Sequence, residues 1–403
     1  MLSRRRFLQT SSLVSLSPVL PCILGNTARA AAAAPDARVL VVIQLDGGND
    51  GINTVVPYAD DGYGRARDKL RLKTDELHKL DDHVALHPSM RAAKELFDEG
   101  RLCVVQGVGY PNPDRSHFRS MKIWQTAAFD DERHDGYGWL GSALDQGALK
   151  RQGGAAANAI YVGEQETPVA LWGRRSAATA LAAAEDLKLA QGLRPIASLP
   201  ESQSDRSSLD QFVSKQVLSA YAAADEFERQ QSRSQTAGGS DYPDTPLGAH
   251  LKLVSQLLKS GAQSRVFYTI QGGYDTHSAQ LYTHSRLLRE FSAALKSFLD
   301  DLKTAKLDDR VLVLAFSEFG RRVSENDSQG TDHGTAGPVF LAGTPVRGGL
   351  VGNAPDLANL DSGDLKMQLD FRQVYAAILD DWLQVDSENV LGKSFEKPPV
   401  LST

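Results

Sequence analysis

Cysteine is scarce in this chain of 403 residues, which contains two. Cys22 lies in the N-terminal targeting segment described below, and Leu20 and Pro21 before it do not suit a lipid-attachment site. Cys103 is then the one cysteine left for the folded protein, so an intramolecular disulfide is excluded. Because Cys103 lies in the apolar run Leu102–Val105, we expect it to be a buried core residue.

The N-terminal segment has no acidic residue and no hydrophobic run long enough to span a bilayer. Residues 3–9, Ser-Arg-Arg-Arg-Phe-Leu-Gln, have the form of a twin-arginine export signal. The stretch Thr10–Leu24 after them is weakly apolar and contains two prolines. Small residues around Ala30 supply A-x-A cleavage sites. We therefore expect residues 1–30 to be a signal peptide that directs the folded protein to the periplasm or beyond, without stable membrane insertion.

The chain also lacks an excess of positive charge. Its formal net charge is −6 at pH 7, and residues 1–30 contain four arginines. The exported part therefore carries a charge of about −10, which argues against nonspecific binding to nucleic acid. With 41% hydrophobic and 23% charged residues, the composition is that of a globular protein with a large core. No internal repeat is visible.

Short apolar runs alternate with helical patterns along the rest of the chain. We predict strands at Val39–Gln44, Arg101–Gln106, Ala159–Gly163, Arg265–Ile270, Val311–Phe316 and Val339–Leu341. We predict helices at Met90–Phe97, Met121–Ala127, Ala249–Leu258, Leu281–Lys303 and Lys366–Leu383, the last with Trp382 in the core. This alternation predicts one α/β domain over residues 36–395, with a mostly parallel central sheet and helices on both faces.

Residues 164–246 differ in composition from the rest of the chain. They are rich in alanine and then in Ser, Gln and Asp, and they contain few aromatic residues. We predict a helix at Ser208–Gln231 and a flexible loop at Ser232–Ser240. The segment is interpreted as an inserted cap rather than as an independent domain.

Carboxylates and histidines follow several predicted strands, either at the strand end or, for Asp332 and His333, in the loop after it. These residues are Asp46, Asp275, His277, Glu318, Asp332 and His333. Ligand sites of open α/β sheets lie at the carboxyl ends of the strands, and Asp-x-His is a spacing found among metal ligands. Turn formation by Asp-Gly is the alternative for Asp46. Mixed carboxylate and imidazole ligands suit zinc, manganese or calcium, so we expect a divalent metal whose identity stays open.

A second polar cluster, Asp114–Ser120, precedes the helix predicted at Met121. Ser116 or Ser120 could cap that helix, or could serve as a nucleophile with His117 beside it. The helix N-terminus and its neighbouring arginines favour binding of an anion. Capping and catalysis both stay open here.

Among the other histidines, His87 is interpreted as a structural loop residue rather than as a ligand. His78, His83 and His87 lie in a polar loop region, and Ser89 is predicted to cap the helix after it. His284 is predicted to lie on the surface of the long helix Leu281–Lys303.

The motifs LDGGNDG, RSHF, GGYDTH, FSEFGR and TDHGTAGP occur in this order behind the export signal. Together they resemble the twin-arginine-exported family called domain of unknown function 1501, placed in the alkaline phosphatase and sulfatase superfamily. The resemblance covers residues 38–383. It implies an alkaline-phosphatase-like α/β sandwich and a metal-dependent hydrolase of phosphate or sulfate esters, with a small anionic ester as substrate.

The resemblance also implies roles for single residues. Asp46 corresponds to the metal ligand after the first strand, and Ser116 falls near the nucleophile. Asp275 and His277 stand where one metal is bound, and His333 resembles the last metal-binding histidine. Glu318-Phe319 departs from the Asp-His pair that phosphatases and sulfatases usually show, which removes one ligand, and Asp332 is a candidate to compensate.

The departure at Glu318-Phe319 supports an alternative function. The chain could be a secreted binding or assembly protein that keeps the fold without turnover. Family members tend to be encoded beside another secreted family, domain of unknown function 1800, which fits a protein partner. A phosphonate or sugar-phosphate mutase is a third reading of the same fold.

Overall fold

The computed structural model describes residues 38–129, 136–146, 159–176, 178–182, 241–262 and 264–402. Their central element is a nine-stranded sheet. Its strands are β1 (Val39–Leu45), β5 (Leu102–Gly109), β6 (Ala159–Val162), β7 (Ala178–Leu181), β8 (Val266–Gln271), β9 (Val311–Phe316), β10 (Gly337–Ala342), β11 (Gly349–Val351) and β12 (Leu369–Asp370). The order is β11-β5-β10-β9-β1-β8-β6-β7, with β12 also paired to β5.

Most neighbouring strands of this sheet run parallel. β1 pairs in parallel with both β8 and β9, and β6 pairs in parallel with β7 and β8. β10 is the exception, since it runs antiparallel to β5 and to β9. Pro338 lies in β10, and the register shifts between Gly337 and Val339, as expected for a proline that cannot donate to a sheet ladder. The predicted mostly parallel α/β architecture is confirmed.

Helices cover both faces of the sheet. They are α1 (Gly51–Thr54), α2 (Asp61–Ala66), α3 (Arg91–Asp98), α4 (His117–Thr126), α5 (Trp139–Asp145), α6 (Pro246–Lys259), α7 (Gln280–Thr304), α8 (Phe371–Ala377) and α9 (Ser387–Leu391), with a π-helical turn at Ile378–Leu383. Within the described part of the chain, no helix has both the length and the apolar character needed to cross a membrane.

Alternate residues of β1 enter two separate hydrophobic cores. Val41 and Ile43 pack with α3, α6 and α7 on one face. Leu40 and Val42 pack with α4, α5 and α8 on the other. This alternation follows from the twofold repeat of side-chain direction along a strand, and burial on both faces explains why β1 is apolar throughout.

A small three-stranded sheet lies apart from the main one. Its strands are β2 (Val55–Val56), β3 (His78–Lys79) and β4 (Ala85–Leu86), in the order β2-β4-β3 and antiparallel. One-turn 3₁₀ helices at Thr74–Glu76, Pro88–Met90, Val169–Leu171 and Asp308–Arg310 complete the described elements.

Two histidine predictions have different outcomes. His284 is buried, with its Nε2 2.9 Å from Asn49 Oδ1, so the predicted surface position is wrong. His87 is structural as predicted, because its Nδ1 accepts a hydrogen bond from the backbone N–H of Ser89. His87 thereby caps the 3₁₀ helix Pro88–Met90, whereas α3 has Met90 at its N-cap position without a side-chain cap, so the predicted Ser89 cap is wrong.

Two further predictions need comment. The last helix was predicted to begin at Lys366, but it begins at Phe371, where Asp370 and Gln373 form a capping box. Trp382 is buried as predicted.

Cys103 is buried in the core as predicted, and burial raises the pKa of its thiol to about 12.

The predicted cap lies largely outside the described residues. Within it, β7 adds an edge strand to the main sheet. The predicted helix Ser208–Gln231 and loop Ser232–Ser240 belong to the part that the structure does not describe, so the cap stays a prediction.

Candidate metal centre

The candidate site lies where the carboxyl ends of β1, β8 and β9 meet. Leu45 is in register with Gln271, and Gln44 with Phe316, so all three strands end at the same edge. β5 ends there too, because it is related to β9 by two antiparallel pairings through β10. The segments after these four strands carry the motifs that the sequence pointed to.

Two glycines make the turn after β1 narrow enough for these segments to meet. Gly47 and Gly48 have φ values of +115° and +73°. A Cβ on Gly47 would lie 2.5 Å from the backbone nitrogen of Asp275, and one on Gly48 would overlap the ring of Phe319. Only glycine has both the φ freedom and the absence of a Cβ that this turn requires.

Arg321 forms hydrogen bonds with three of the segments that follow the strands. Its side chain is fully buried. It donates to the carbonyls of Gly48 and Thr331 at 2.8 and 2.7 Å and to Asp275 Oδ1 at 2.6 Å. Each guanidinium contact fixes one of the segments that supply the site.

Three imidazoles are held from behind by hydrogen-bond acceptors. His117 Nδ1 lies 2.7 Å from Glu318 Oε1, and His333 Nδ1 lies 2.7 Å from the carbonyl oxygen of Arg115. His277 Nδ1 lies 3.3 Å from Asp332 Oδ1. Carbonyl and carboxylate oxygens accept hydrogen bonds, so each Nδ1 is the protonated nitrogen. In the neutral imidazoles, every Nε2 therefore presents a lone pair.

These three Nε2 atoms converge on one oxygen of Asp275. Their distances to Asp275 Oδ1 are 3.4 Å for His117, 3.0 Å for His277 and 3.2 Å for His333. The Nε2 atoms of His277 and His333 are 2.9 Å apart. Donor atoms around a tetrahedral zinc ion, at bond lengths of about 2.0–2.1 Å, are separated by about 3.3–3.4 Å. The distances from Asp275 Oδ1 to the three Nε2 atoms are close to that spacing.

The atoms of this cluster also fit a cation chemically. His117 Nε2 is buried and has no hydrogen-bond partner among the described residues. Two imidazole lone pairs 2.9 Å apart repel unless a proton or a metal lies between them. His117, Asp275 and His333 each offer a ligand atom, and these atoms lie within 4.8 Å of one another. The residues present therefore fit a metal ion.

Charge interactions reinforce this arrangement. Burial opposes ionisation of Asp275, but the hydrogen bond and charge of Arg321 outweigh it and hold the pKa of Asp275 at about 2. The hydrogen bond that His117 donates to Glu318 raises the pKa of His117. Burial, followed by the charge of Glu318, raises the pKa of Asp46. Asp275 is thus a carboxylate over the whole physiological pH range.

Most of the predicted site residues come together here, in two layers. Asp275, His277 and His333 contribute converging donor atoms. Glu318 is buried behind His117, where it also accepts from the backbone N–H of Gly47 at 3.1 Å. Asp332 lies behind His277. A direct metal-ligand role for Glu318 and Asp332 stays a prediction, because in this geometry both hold imidazoles.

Asp46 lies at the edge of the cluster. Its Oδ1 accepts a hydrogen bond from the Gln44 side chain at 2.9 Å. The charges of Glu318, His117 and Asp275 all act on its pKa. Asp46 is therefore close to the centre, and its predicted ligand role stays untested.

The two serines differ sharply in environment. Ser120 is fully buried, and its Oγ lies 2.6 Å from the Asp114 carbonyl and 2.5 Å from Tyr110 Oη. That hydroxyl holds the turn after β5 and is unavailable to a substrate. Ser116 is exposed, occupies the N-cap position of α4 and makes no side-chain capping bond. Of the two, Ser116 alone keeps a hydroxyl free for chemistry.

Phe319 explains how the cluster keeps its imidazoles despite the departure at Glu318-Phe319. The Phe319 ring centroid lies 4.9 Å from that of His117 and 5.0 Å from that of His333. An imidazole is absent at position 319, and α4 brings His117 to the cluster instead. Sequence reasoning paired His117 with Ser116 and missed this position, although RSHF follows a strand that ends at the same edge.

The family assignment agrees with these motifs. Residues 37–393 match the family model described as "Protein of unknown function (DUF1501)". The chain belongs to the DUF1501 family. The predicted resemblance to DUF1501 is thereby confirmed over the whole range that the motifs covered. A search of the curated proteins gave no significant match.

Several solved structures resemble the DUF1501 chain at low identity. The lipoteichoic acid synthase LtaP from Listeria monocytogenes is 9% identical, with a TM-score of 0.37, covering 83% of this chain and 75% of that one. The PsFucS1 sulfatase from Pseudoalteromonas sp. is 11% identical, with a TM-score of 0.38 and coverage of 94% and 72%. The phosphonate monoester hydrolase SpPMH from Silicibacter pomeroyi is 9% identical, with a TM-score of 0.35 and coverage of 89% and 77%.

Proposed function

We propose that this DUF1501 protein binds a divalent metal ion and hydrolyses phosphate or sulfate esters. The ligands in this proposal are His117, His277, His333 and Asp275. The observation that carries it is the convergence of three imidazole Nε2 atoms on Asp275 Oδ1, each imidazole being oriented from behind through its Nδ1. Such acceptors behind metal-binding histidines fix the tautomer and the ring orientation.

The donor set favours zinc among the metals that the sequence left open. Three imidazole nitrogens and one carboxylate oxygen suit zinc and its transition-metal neighbours. Calcium prefers six to eight oxygen ligands, which these side chains do not offer. When bound, the ion would supply Lewis-acid polarisation of an ester oxygen.

The charge balance of the centre supports an anionic substrate. Arg321 is 2.6 Å from Asp275 Oδ1, so the charge of that carboxylate is largely offset by the guanidinium. A divalent ion beside this pair would add two positive charges, while the carboxylates of Glu318 and Asp332 lie behind His117 and His277 at 2.7 and 3.3 Å. The ion itself would be the positive charge that a small anionic ester meets.

Ser116 is the proposed nucleophile. Its hydroxyl is exposed and precedes His117, which borders the centre. The N-terminus of the ten-residue helix α4 directs free backbone N–H groups toward an anion. The helix would thus hold the ester group while the Ser116 oxygen attacks phosphorus or sulfur and the alcohol leaves with the proton of the serine hydroxyl. Water would then cleave the serine ester, which releases phosphate or sulfate and restores the Ser116 hydroxyl.

Metal binding and turnover can be tested separately. Metal is removed from the purified protein with a chelator, and zinc binding is measured by calorimetry. Phosphomonoester, phosphodiester and sulfate-ester substrates are then screened. We expect one zinc ion per chain, loss of binding in Asp275→Ala and His333→Ala, and loss of turnover with retained binding in Ser116→Ala. Ser120→Ala is the matched control and should keep its turnover. Absence of zinc binding in the wild type would sink the proposal.

One observation favours a non-catalytic alternative. If all three imidazoles and Asp275 bind zinc, they fill its four positions, as in structural sites, whereas catalytic zinc sites keep one position open. In a secreted assembly protein, such a centre would only stabilise the loops that carry its ligands. One zinc ion per chain, together with no hydrolysis of any ester in the screen, would favour this alternative.

Export to the periplasm by the twin-arginine route belongs to the proposal as well. It rests on the residue pattern at positions 3–30, which lie outside the described residues. A protein partner from the neighbouring secreted family likewise stays a prediction.

A further inference from the structure

A carboxylate outside the cluster is linked to both halves of the candidate metal centre. Asp364 has a side-chain exposure of 1%. Its Oδ2 forms an ion pair with Arg115 Nη2, and its Oδ1 lies 3.6 Å from Arg322 Nε. Burying a carboxylate is unfavourable unless cations accompany it. The Asp364 carboxylate therefore holds the side chains of both arginines in place.

Arg115 connects this carboxylate to two of the three imidazoles. Its carbonyl oxygen lies 2.7 Å from His333 Nδ1 and sets the direction of that ring. Two residues later, His117 begins α4 and points its Nε2 at Asp275. Anchoring the Arg115 guanidinium therefore restrains both the acceptor behind one imidazole and the backbone that delivers the other.

Arg322 connects the Asp364 carboxylate to the segment that carries Asp332 and His333. Its backbone N–H donates to the Asp332 carbonyl at 3.0 Å, next to His333. Its Nη2 donates to the Ser362 carbonyl at 3.0 Å, which holds it against the turn that carries Asp364.

The turn itself is built to present Asp364 rigidly. Asp361 and Asp364 exchange two backbone hydrogen bonds of 2.9 Å. Ser362 and Gly363 between them have positive φ values of 53° and 86°. Positive φ at both central residues is the backbone of a type I′ turn. The buried carboxylate thus stands on a short, closed loop rather than on a flexible one.

We propose that Asp364 is a positioning residue of the metal centre, acting through Arg115 and Arg322 on His117 and His333. The inference rests on the proposed metal binding and deepens it. Nothing in the sequence pattern marks Asp364, since it lies outside the motifs around the strand ends. Loss of partners behind metal-binding histidines typically weakens metal binding about 10–100-fold.

The test is zinc affinity of the full-length protein carrying Asp364→Asn, which keeps the shape and removes the charge. Asp361→Asn is the matched control, because it changes an exposed aspartate of the same turn. We expect the zinc Kd to rise about 10–100-fold in Asp364→Asn and to stay within twofold in Asp361→Asn. The visible absorption of the cobalt-substituted protein should change in the first variant alone, since ligand angles set that spectrum.

A second variant covers the case in which Asp364→Asn fails to fold. Arg115→Gln removes the guanidinium but keeps the carbonyl behind His333, and we expect a similar loss of zinc affinity. Wild-type zinc affinity in a folded Asp364→Asn or Arg115→Gln protein, with an unchanged cobalt spectrum, would overturn the inference. Wild-type protein that binds no zinc would overturn the proposed function instead, so the two failures are distinguishable.

Discussion

Replacing Gly48 by alanine tests how tightly the turn after β1 is packed against the candidate centre. Gly48 has a φ of +73°, which costs an L-residue about 1–2 kcal/mol. Its added Cβ would also lie 2.7 Å from Phe319 Cδ2. Overpacking of this kind costs about 1–3 kcal/mol. The free energy of unfolding should therefore fall by about 2–5 kcal/mol.

Gly100 provides a matched control for the backbone contribution. Its φ is also +73°, but no atom lies within 4 Å of the Cβ that alanine would add. Gly100→Ala should therefore cost about 1–2 kcal/mol. The difference between the two variants, about 1–3 kcal/mol, isolates the collision with Phe319.

The assay is urea unfolding of both variants, followed by zinc titration. Since Phe319 packs against His117 and His333, its displacement in Gly48→Ala should weaken zinc binding, whereas Gly100→Ala should bind as the wild type does. Equal losses of stability in the two variants, with equal zinc affinity, would refute the view that the Phe319 ring is packed tightly and fixes the positions of His117 and His333.

Two further predictions concern buried charge. Burial lowers the pKa of His284 to about 4 from its ordinary 6.5. Between these two values the unfolded chain binds a proton at this histidine and the folded protein does not, so the free energy of unfolding should fall as the pH is lowered, by at most about 1.4 kcal/mol per pH unit. Urea unfolding at pH 7 and pH 5 should show a smaller pH dependence for His284→Gln than for the wild type. Arg67→Met should lower the free energy of unfolding by about 3–5 kcal/mol, because Asp50 is left charged and fully buried. The control is Arg65→Met at an exposed position, where the free energy of unfolding should change by no more than about 0.5 kcal/mol. An equally small loss in Arg67→Met would contradict the prediction.

The long elements and their order were readable from the sequence because each carries a strong local signal. The strands β1, β8 and β9 lie within one residue of their predicted positions, since apolar runs buried on both faces are distinctive. The three-residue β11 and the two-residue strands are too short for any periodicity to appear. The reversed direction of β10 has no local signal either, because the connection before it determines that direction.

Two errors had signals that could have been used. His284 is spaced three, four and seven residues from Leu287, Leu288 and Phe291, which places it on the buried face of α7. The capping box that starts at Asp370 marks the true beginning of the last helix. Both patterns were present in the sequence.

The candidate site was predictable in its residues more than in its arrangement. Asp275, His277 and His333 were chosen because they follow strands, which holds for any parallel sheet. The place of His117 beside His333 depends on β5 lying two strands from β9, with β10 between them. That strand order is a long-range property, so spacing along the chain could not reveal which of the carboxylates bind and which support.

The central position of β1 has a consequence for how the protein is made. Leu40 pairs with Val266 and Leu312, so the first strand waits for partners that lie roughly 225 residues or more further along the chain. At synthesis rates of about 5–20 residues per second, this wait lasts about 10–45 s. Throughout it, seven residues that end fully buried have no sheet to join. The apolar strand β1 therefore stays without its sheet partners during most of translation, and we expect a chaperone to protect it in that time.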